Sequence, residues 1–165
     1  MKLFIAGDYW SCTGPAKVTQ NLIQGSNPQI FCQHTRNKLL RVIEMFYKTL
    51  VCDAVVYSGF SRQNLIGFKL ASIFRRPSFY LMHGSIFYEG LINEENNPAM
   101  ITQESDMLKA ANFILAVSKP FEEWLKKQYP HYQNKIYTLI NGIDWNIINS
   151  HNGHSGKISG QILSI

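Results

Sequence analysis

Histidine, the residue type best suited to chemistry near neutral pH, occurs once in this chain directly after an apolar run. The run is residues 78–82 (SFYLM), followed by His83-Gly84-Ser85. A neutral imidazole there can donate to a sugar hydroxyl or a phosphate oxygen, and Gly84 leaves space beside it. A histidine held by hydrogen bonds for structure alone suits the position equally, so position leaves both roles open. A second candidate is Thr13-Gly14-Pro15, which joins the apolar run of residues 2–6 to a helical pattern. A loop of that kind aims backbone N–H groups and the positive end of a helix at one point, a natural anion seat. Asp8, beside the same loop, could hold a hydroxyl.

Other chemistries lack their residues. His151 and His154 stand three apart with no companion ligands, so no metal site is expected. His34 and His131 read as exposed loop residues. Cys12, Cys32 and Cys52 are odd in number and without ligand spacing, as in reduced, buried thiols. Asp53 opens a strand, at the wrong rim for a ligand, and Glu89, Glu94, Glu95 and Glu104 show no paired acid–base spacing. The absence of Gly-x-Gly-x-x-Gly, of a Gly-Lys-Ser phosphate loop and of Gly-x-Ser-x-Gly argues against a dinucleotide dehydrogenase, a P-loop enzyme and an α/β hydrolase.

The elements that must position these residues alternate. Apolar runs at 2–6, 29–35, 53–57, 78–82, 113–117 and 136–140 read as strands. Helical patterns fill 15–24, 37–51, 62–76 and 98–111, with a last helix opened by Ser118 or Lys119; residues 86–97 read as an exposed loop. Buried strands alternating with helices of this length predict an α/β fold, a Rossmann-like parallel sheet with helices on both faces. Ligands then sit beyond the carboxyl ends of the strands: Gly7-Asp8, Ser58-Gly59, His83-Gly84, Ser118 and Asn141-Gly142. In the helix at 62–76, Leu65, Ile66, Phe68, Leu70, Ile73 and Phe74 are expected inward. The helix at 37–51 is apolar on one side (Leu39, Leu40, Val42, Ile43, Phe46, Leu50), with Arg36, Lys38, Arg41 and Lys48 on the remainder. Core packing and contact with a membrane surface both account for that pattern.

The 165 residues suffice for one domain with a real core. A formal net charge of +5 suits anionic partners, or simply solubility. Nucleic acid is not among the expected partners, because the aromatics sit in apolar strands rather than among the basic residues. With no signal-peptide pattern and no apolar run of about 18 residues, a cytoplasmic location is expected. Residues 150–160 (SHNGHSGKISG) read as a linker between a domain of residues 1–149 and a new apolar run at 161–165.

Taken in order, these segments resemble the N-terminal domain of a GT-B glycosyltransferase of the group-1, family-4, retaining kind. The resemblance rests on TGPAKV at 13–18, LMHG at 81–84, LAVSKP at 115–120 with its following helix, and KIYTLINGID at 135–144. It implies two facing Rossmann-like domains with a nucleotide-sugar between them, this chain supplying the acceptor side. It also implies donor-diphosphate contact at Thr13 and Gly14, His83 as the catalytic residue facing the transferred sugar, and a cleft rim of Asp8, Gly84, Ser85, Ser118 and Asn141. No cofactor and no metal are implied. The partners are a nucleotide-sugar donor and a glycan or lipid-linked acceptor, as in surface polysaccharide synthesis, with peripheral membrane contact. The loop has one Gly where that family has a pair, and the stretch between the first helix and Asp53 is short enough for a strand to be missing. The nucleotide pocket and a Glu pair spaced by seven residues belong to the family's second domain, so this chain alone is expected to be inactive. The competing expectation is a non-catalytic basic module that docks on a membrane or a partner protein.

Overall fold

The computed structural model describes residues 1–7, 11, 13–25, 29–35, 37–94 and 97–140. Asp8, Asn141 and the expected linker and domain boundary lie outside them, as does Arg36. The described strands are β1 (Lys2–Ala6), β2 (Gln29–Cys32), β3 (Ala54–Ser58), β4 (Ser78–Met82), β5 (Phe113–Ala116) and β6 (Ile136–Thr138). They form one six-stranded sheet in the order β2-β1-β3-β4-β5-β6, and every neighbouring pair is parallel. Phe4 lies opposite Val55, Tyr57 opposite Tyr80 and Leu81 opposite Leu115. Beyond β1 the described residues hold only the four-residue edge strand β2. The short stretch before Asp53 therefore leaves room for one strand on that flank.

Alternation along the strands divides the core. Phe4, Val55, Tyr57, Tyr80, Met82 and Ile114 meet Met45, Phe68, Met107 and Leu125 of helices α2 (Lys38–Val51), α3 (Arg62–Ile73), α5 (Pro98–Ala110) and α6 (Lys119–Gln128). The alternate residues Ile5, Val56 and Leu81 meet Val18, Leu22 and Ile23 of α1 (Gly14–Gly25). Helices thus cover both faces, as a parallel sheet requires. Their starts follow local chemistry. Asn37, Ser61, Ser85, Asn97 and Ser118 each cap a helix by accepting a backbone N–H with the side chain. Pro98 and Pro120 occupy first turns, where a missing N–H is harmless. α3 stops earlier than its pattern suggests. Arg75 takes a left-handed φ of 53°, while the Arg76 and Arg75 N–H groups return to the carbonyls of Ala71 (2.8 Å) and Ser72 (3.1 Å). That is the reciprocal pattern of a Schellman stop.

Two expectations need correction, and the direction of α2, which its pattern left open, is settled. Residues 86–92 are not loop but a helix, α4 (Ile86–Ile92), capped by Ser85. Its second anchor is remote in sequence: Glu104 of α5, 1% exposed, accepts the Phe87 N–H at 3.1 Å. In α3, Ile66 and Ile73 face solvent, while Asn64, Gly67, Phe68 and Ala71 are buried. The helix lies so close to β3 that a Cβ at Gly67 would stand 2.5 Å from Met45 Cε and collide with the Tyr57 ring. In α2 the apolar side points outward: Met45 and Thr49 are the buried residues, and Leu39, Leu40, Ile43, Phe46 and Leu50 are exposed. Periodicity identifies a stripe, not the direction it faces. Lys48 also departs from its expected surface role, pairing with Glu44 at 2.6 Å and lying 5.6 Å over the Phe4 ring.

The Glu104 anchor can be tested directly. Burial raises its pKa, against the lowering effect of hydrogen bonds from Ser85, Phe87 and Ile86. A carboxyl whose folded pKa is raised contributes most stability below its unfolded value and loses that contribution as pH rises through the folded value. Glu104→Gln keeps an acceptor for Phe87 without the buried charge, so at pH 7 it should leave stability unchanged or raised. Glu104→Ala should lower it by about 1–3 kcal/mol, the cost of an unsatisfied buried donor. Urea unfolding of both variants at pH 5 and pH 7 checks this; equal losses in the two would refute it.

Candidate functional site

The order β2-β1-β3 makes a topological switch point between β1 and β3: α1 leads away on one side and α2 returns on the other. Ligands bind at such points, beyond the carboxyl ends of the strands. A cavity of about 480 Å³ opens there. Its walls include Thr13 and Pro15 after β1, Ser58 to Ser61 after β3, His83 and Gly84 after β4, Arg41 of α2, and Ile86 and Glu89 of α4.

Two glycines let the walls close. A Cβ at Gly7 would stand 2.6 Å from Ser58 Cβ, so only glycine lets β1 and β3 end this close together. Gly59 turns the chain after β3 with φ +73°, a conformation glycine adopts without strain, and its missing side chain faces the His83 ring. His83 Nε2 lies 2.8 Å from Ser58 Oγ. Ser58 Oγ lies 3.1 Å from Thr19 Oγ1, and Thr19 donates to the Pro15 carbonyl at 3.1 Å.

With the Thr19 hydroxyl on the Pro15 carbonyl, the direction of the relay is set by counting protons. A carbonyl only accepts, so the Thr19 proton is committed to Pro15. Thr19 must then accept from Ser58, which commits the Ser58 proton, and Ser58 in turn accepts from His83 Nε2–H. Burial lowers the His83 pKa from its ordinary 6.5, so the ring is neutral at pH 7. A neutral ring protonated at Nε2 carries its lone pair on Nδ1, for which no partner occurs among the described residues. In that tautomer the ring offers an acceptor at Nδ1, where the sequence suggested a donor.

Of the other residues singled out from sequence, Thr13 lines the cavity and Gly14 opens α1 beside it. Nothing lies within 4 Å of a Cβ at Gly14, so packing does not require glycine there. Gly84 lines the cavity, but the space beside it is filled: a Cβ there would collide with the Glu89 carboxylate. Ser85 is 1% exposed, and its hydroxyl accepts the Tyr88 N–H at 3.4 Å. Ser118 follows β5 on the same rim, where its hydroxyl accepts the Phe121 N–H; it is not in the cavity wall. Sequence reasoning placed Ser58 on this rim without a role, and it missed Thr19, Arg41 and Glu89 as members of the site. Their residue types carried no special signal, and only the strand order brings them together. Among the described residues, no three His, Cys, Asp or Glu side chains stand close enough to hold a metal ion. No helix there is long and apolar enough to cross a membrane. No family model matches the chain, and no curated protein matches it in sequence.

Proposed function

We propose that this cavity is the acceptor-side half of the active site of a nucleotide-sugar-dependent glycosyltransferase, of the GT-B, family-4 kind that the sequence resembles. The observation that carries the reading is His83, held neutral by burial, fixed as the Nε2–H tautomer by Ser58, and set at the carboxyl end of a parallel strand beside the start of α1. In this reading His83 Nδ1 accepts a hydroxyl of the transferred sugar. Thr13 and the first turn of α1 face the donor diphosphate, where the helix dipole favours negative charge. Arg41 adds a cation to the same wall and Glu89 an acceptor for sugar hydroxyls. No resident cofactor takes part, and the protein works in the cytoplasm on a glycan or lipid-linked acceptor.

One helix end supplies roughly 0.3–1 kcal/mol at an exposed site, against the 8 kcal/mol or more that enzymes draw on. Residues 1–165 alone should therefore transfer no sugar. They should bind nucleotide-sugars no tighter than about millimolar, near −4 kcal/mol. Calorimetric titration with a panel of nucleotide-sugars, beside a transfer assay, checks the limit. NMR of the histidine ring checks the place: at millimolar ligand the His83 signals should shift and those of His131 should not. Micromolar binding would mean that the nucleotide pocket lies in this domain. Unmoved His83 signals would remove the cavity from the reading.

A further inference from the structure

A second cavity, of about 390 Å³, opens on the opposite rim of the sheet, where the strands start. Arg75 and Arg76, just past the end of α3, line it with Ser72, with Pro77 before β4, and with Asn112 and Phe113 where β5 begins. The volume suits a small molecule. Pro77 leads into β4 and His83 follows it, so at about 3.3 Å per residue the two cavities stand roughly 20 Å apart. A ligand in one does not touch the other.

Charge and backbone both mark the two arginines. Among the described residues neither guanidinium has a carboxylate partner. Arg76 donates to the Leu50 carbonyl at 2.9 Å, a neutral acceptor that leaves its charge uncompensated. A third cation stands near: Lys135 donates to the carbonyl of Ala111, the neighbour of Asn112, at 2.8 Å. Of the residues leading directly into β1, β3, β4, β5 and β6, only Asp53 is acidic, and it accepts the Lys2 N–H. A helix C-terminus ordinarily repels anions, but here the Leu70, Ala71 and Ser72 carbonyls are taken by the Phe74, Arg76 and Arg75 N–H groups. Arg75 also holds the left-handed position, φ 53°, that helix stops ordinarily give to glycine. Termination of α3 alone would favour glycine there; an arginine adds a cation to the cavity wall. The rest of the wall, Ala71, Pro77 and Phe113, is apolar, and the Phe113 ring is stacked on Phe79 at 4.9 Å. Two guanidiniums suit a phosphate carrying about two negative charges, and a fixed apolar wall suits an organic body attached to it.

We propose that this rim carries a second binding site, for the phosphomonoester group of a small organic phosphate, with Arg75 and Arg76 on the phosphate and Ala71, Pro77 and Phe113 against the body that bears it. The proposal does not depend on what the cavity at His83 does. A nucleotide-sugar has both its phosphates esterified and presents no phosphomonoester, so the two sites call for different ligands.

The test is calorimetric titration of the whole 165-residue chain with AMP, ribose 5-phosphate, inorganic phosphate and adenosine, beside NMR of the histidine rings. At least one of the two esters should bind with a Kd below about 1 mM, and the tighter of them shows whether the body is a nucleoside or a sugar. That ester should bind at least about tenfold more tightly than adenosine, which lacks the charge-assisted contacts, and severalfold more tightly than inorganic phosphate. Arg75→Gly suits the left-handed backbone, so it should leave the melting temperature unchanged or raised while weakening the ester roughly 10- to 100-fold. Arg76→Gln should weaken it similarly, and Arg75→Lys, which keeps the charge, should weaken it less than Arg75→Gly. The His83 ring signals should stay in place throughout. Absence of binding by both esters at about 1 mM, adenosine or inorganic phosphate binding as tightly as the esters, or undiminished binding by Arg75→Gly would overturn the proposal. So would a shift of the His83 signals on ester binding, which would put the phosphate in the other cavity.

Discussion

Sugar transfer is expected to fall by about 10- to 100-fold when His83 becomes alanine, equivalent to the roughly 1.5–3 kcal/mol of a hydrogen bond to a group on which charge develops. The assay needs the cavity opposed by a nucleotide-binding domain, so it belongs in a longer chain that carries one. The loss should appear in kcat more than in KM, because the Nδ1 lone pair matters most as charge develops on the sugar. Ser58→Ala keeps the ring and removes the acceptor that fixes its tautomer. It should cost about tenfold, equivalent to one hydrogen bond of roughly 1.4 kcal/mol. The pH profile carries a separate signature. His83 must be neutral to accept, and burial holds its pKa below 6.5. Its limb of the profile should therefore be flat above pH 6.5 and fall only as pH drops through the lowered value. The same shift acts on stability with the same sign. A histidine whose folded pKa is depressed binds fewer protons folded than unfolded, so stability declines as pH falls below 6.5, and His83→Ala should lessen that decline. Unaltered turnover in His83→Ala would exclude the residue from the chemistry.

Phe68→Ala should have the largest effect on folding. The ring is 1% exposed and stands edge-on to Tyr57 at 4.6 Å and to Tyr80 at 5.9 Å, joining α3 to β3 and β4. Truncating a buried Phe costs about 3–5 kcal/mol, a large part of the 5–15 kcal/mol that holds a typical domain. Phe68→Leu retains most of the volume and should cost under about 1.5 kcal/mol. Urea unfolding checks both: the midpoint should fall while the slope stays constant. The strands that Phe68 joins are those that present Ser58 and His83. A loss near 1 kcal/mol in Phe68→Ala would show that the neighbouring rings close over the gap and that the aromatic contact does not hold the two strands.

Features set by neighbours in sequence were legible from sequence. Ser118 opened the last helix as its pattern suggested, and the apolar runs located the six described strands to within a few residues. Helix α4 was not legible, because part of what holds its start is a carboxylate 17 positions away, Glu104 on Phe87. Nor was the direction of α2. Leu39, Ile43 and Leu50 make a stripe whether they face a core or the outside, and only the packing of Met45 and Thr49 decides between them. In the site, His83 and Thr13 could be found because each follows a strand. Thr19 and Ser58 sit in α1 and at the end of β3, and nothing in either segment says that β1 and β3 are neighbours.

That strand order also bears on the expected order of events in folding. From β3 to β6 each strand pairs with the next one in the chain, so this half can assemble through successive short crossovers. β1 instead pairs with β3 across the whole β1-α1-β2-α2 stretch, a link closed at its foot by the Lys2 N–H on Asp53, 51 positions away. Longer loops are entropically harder to close, by about 0.6 kcal/mol per doubling, and contacts of long sequence separation form late. The β1-α1-β2 unit is therefore expected to dock last. Its seam with β3 is where Thr13 and Thr19 from one side meet Ser58 and His83 from the other, so the cavity does not exist until the final docking step. A nascent or partly unfolded chain can hold nearly all its secondary structure and still have no binding site.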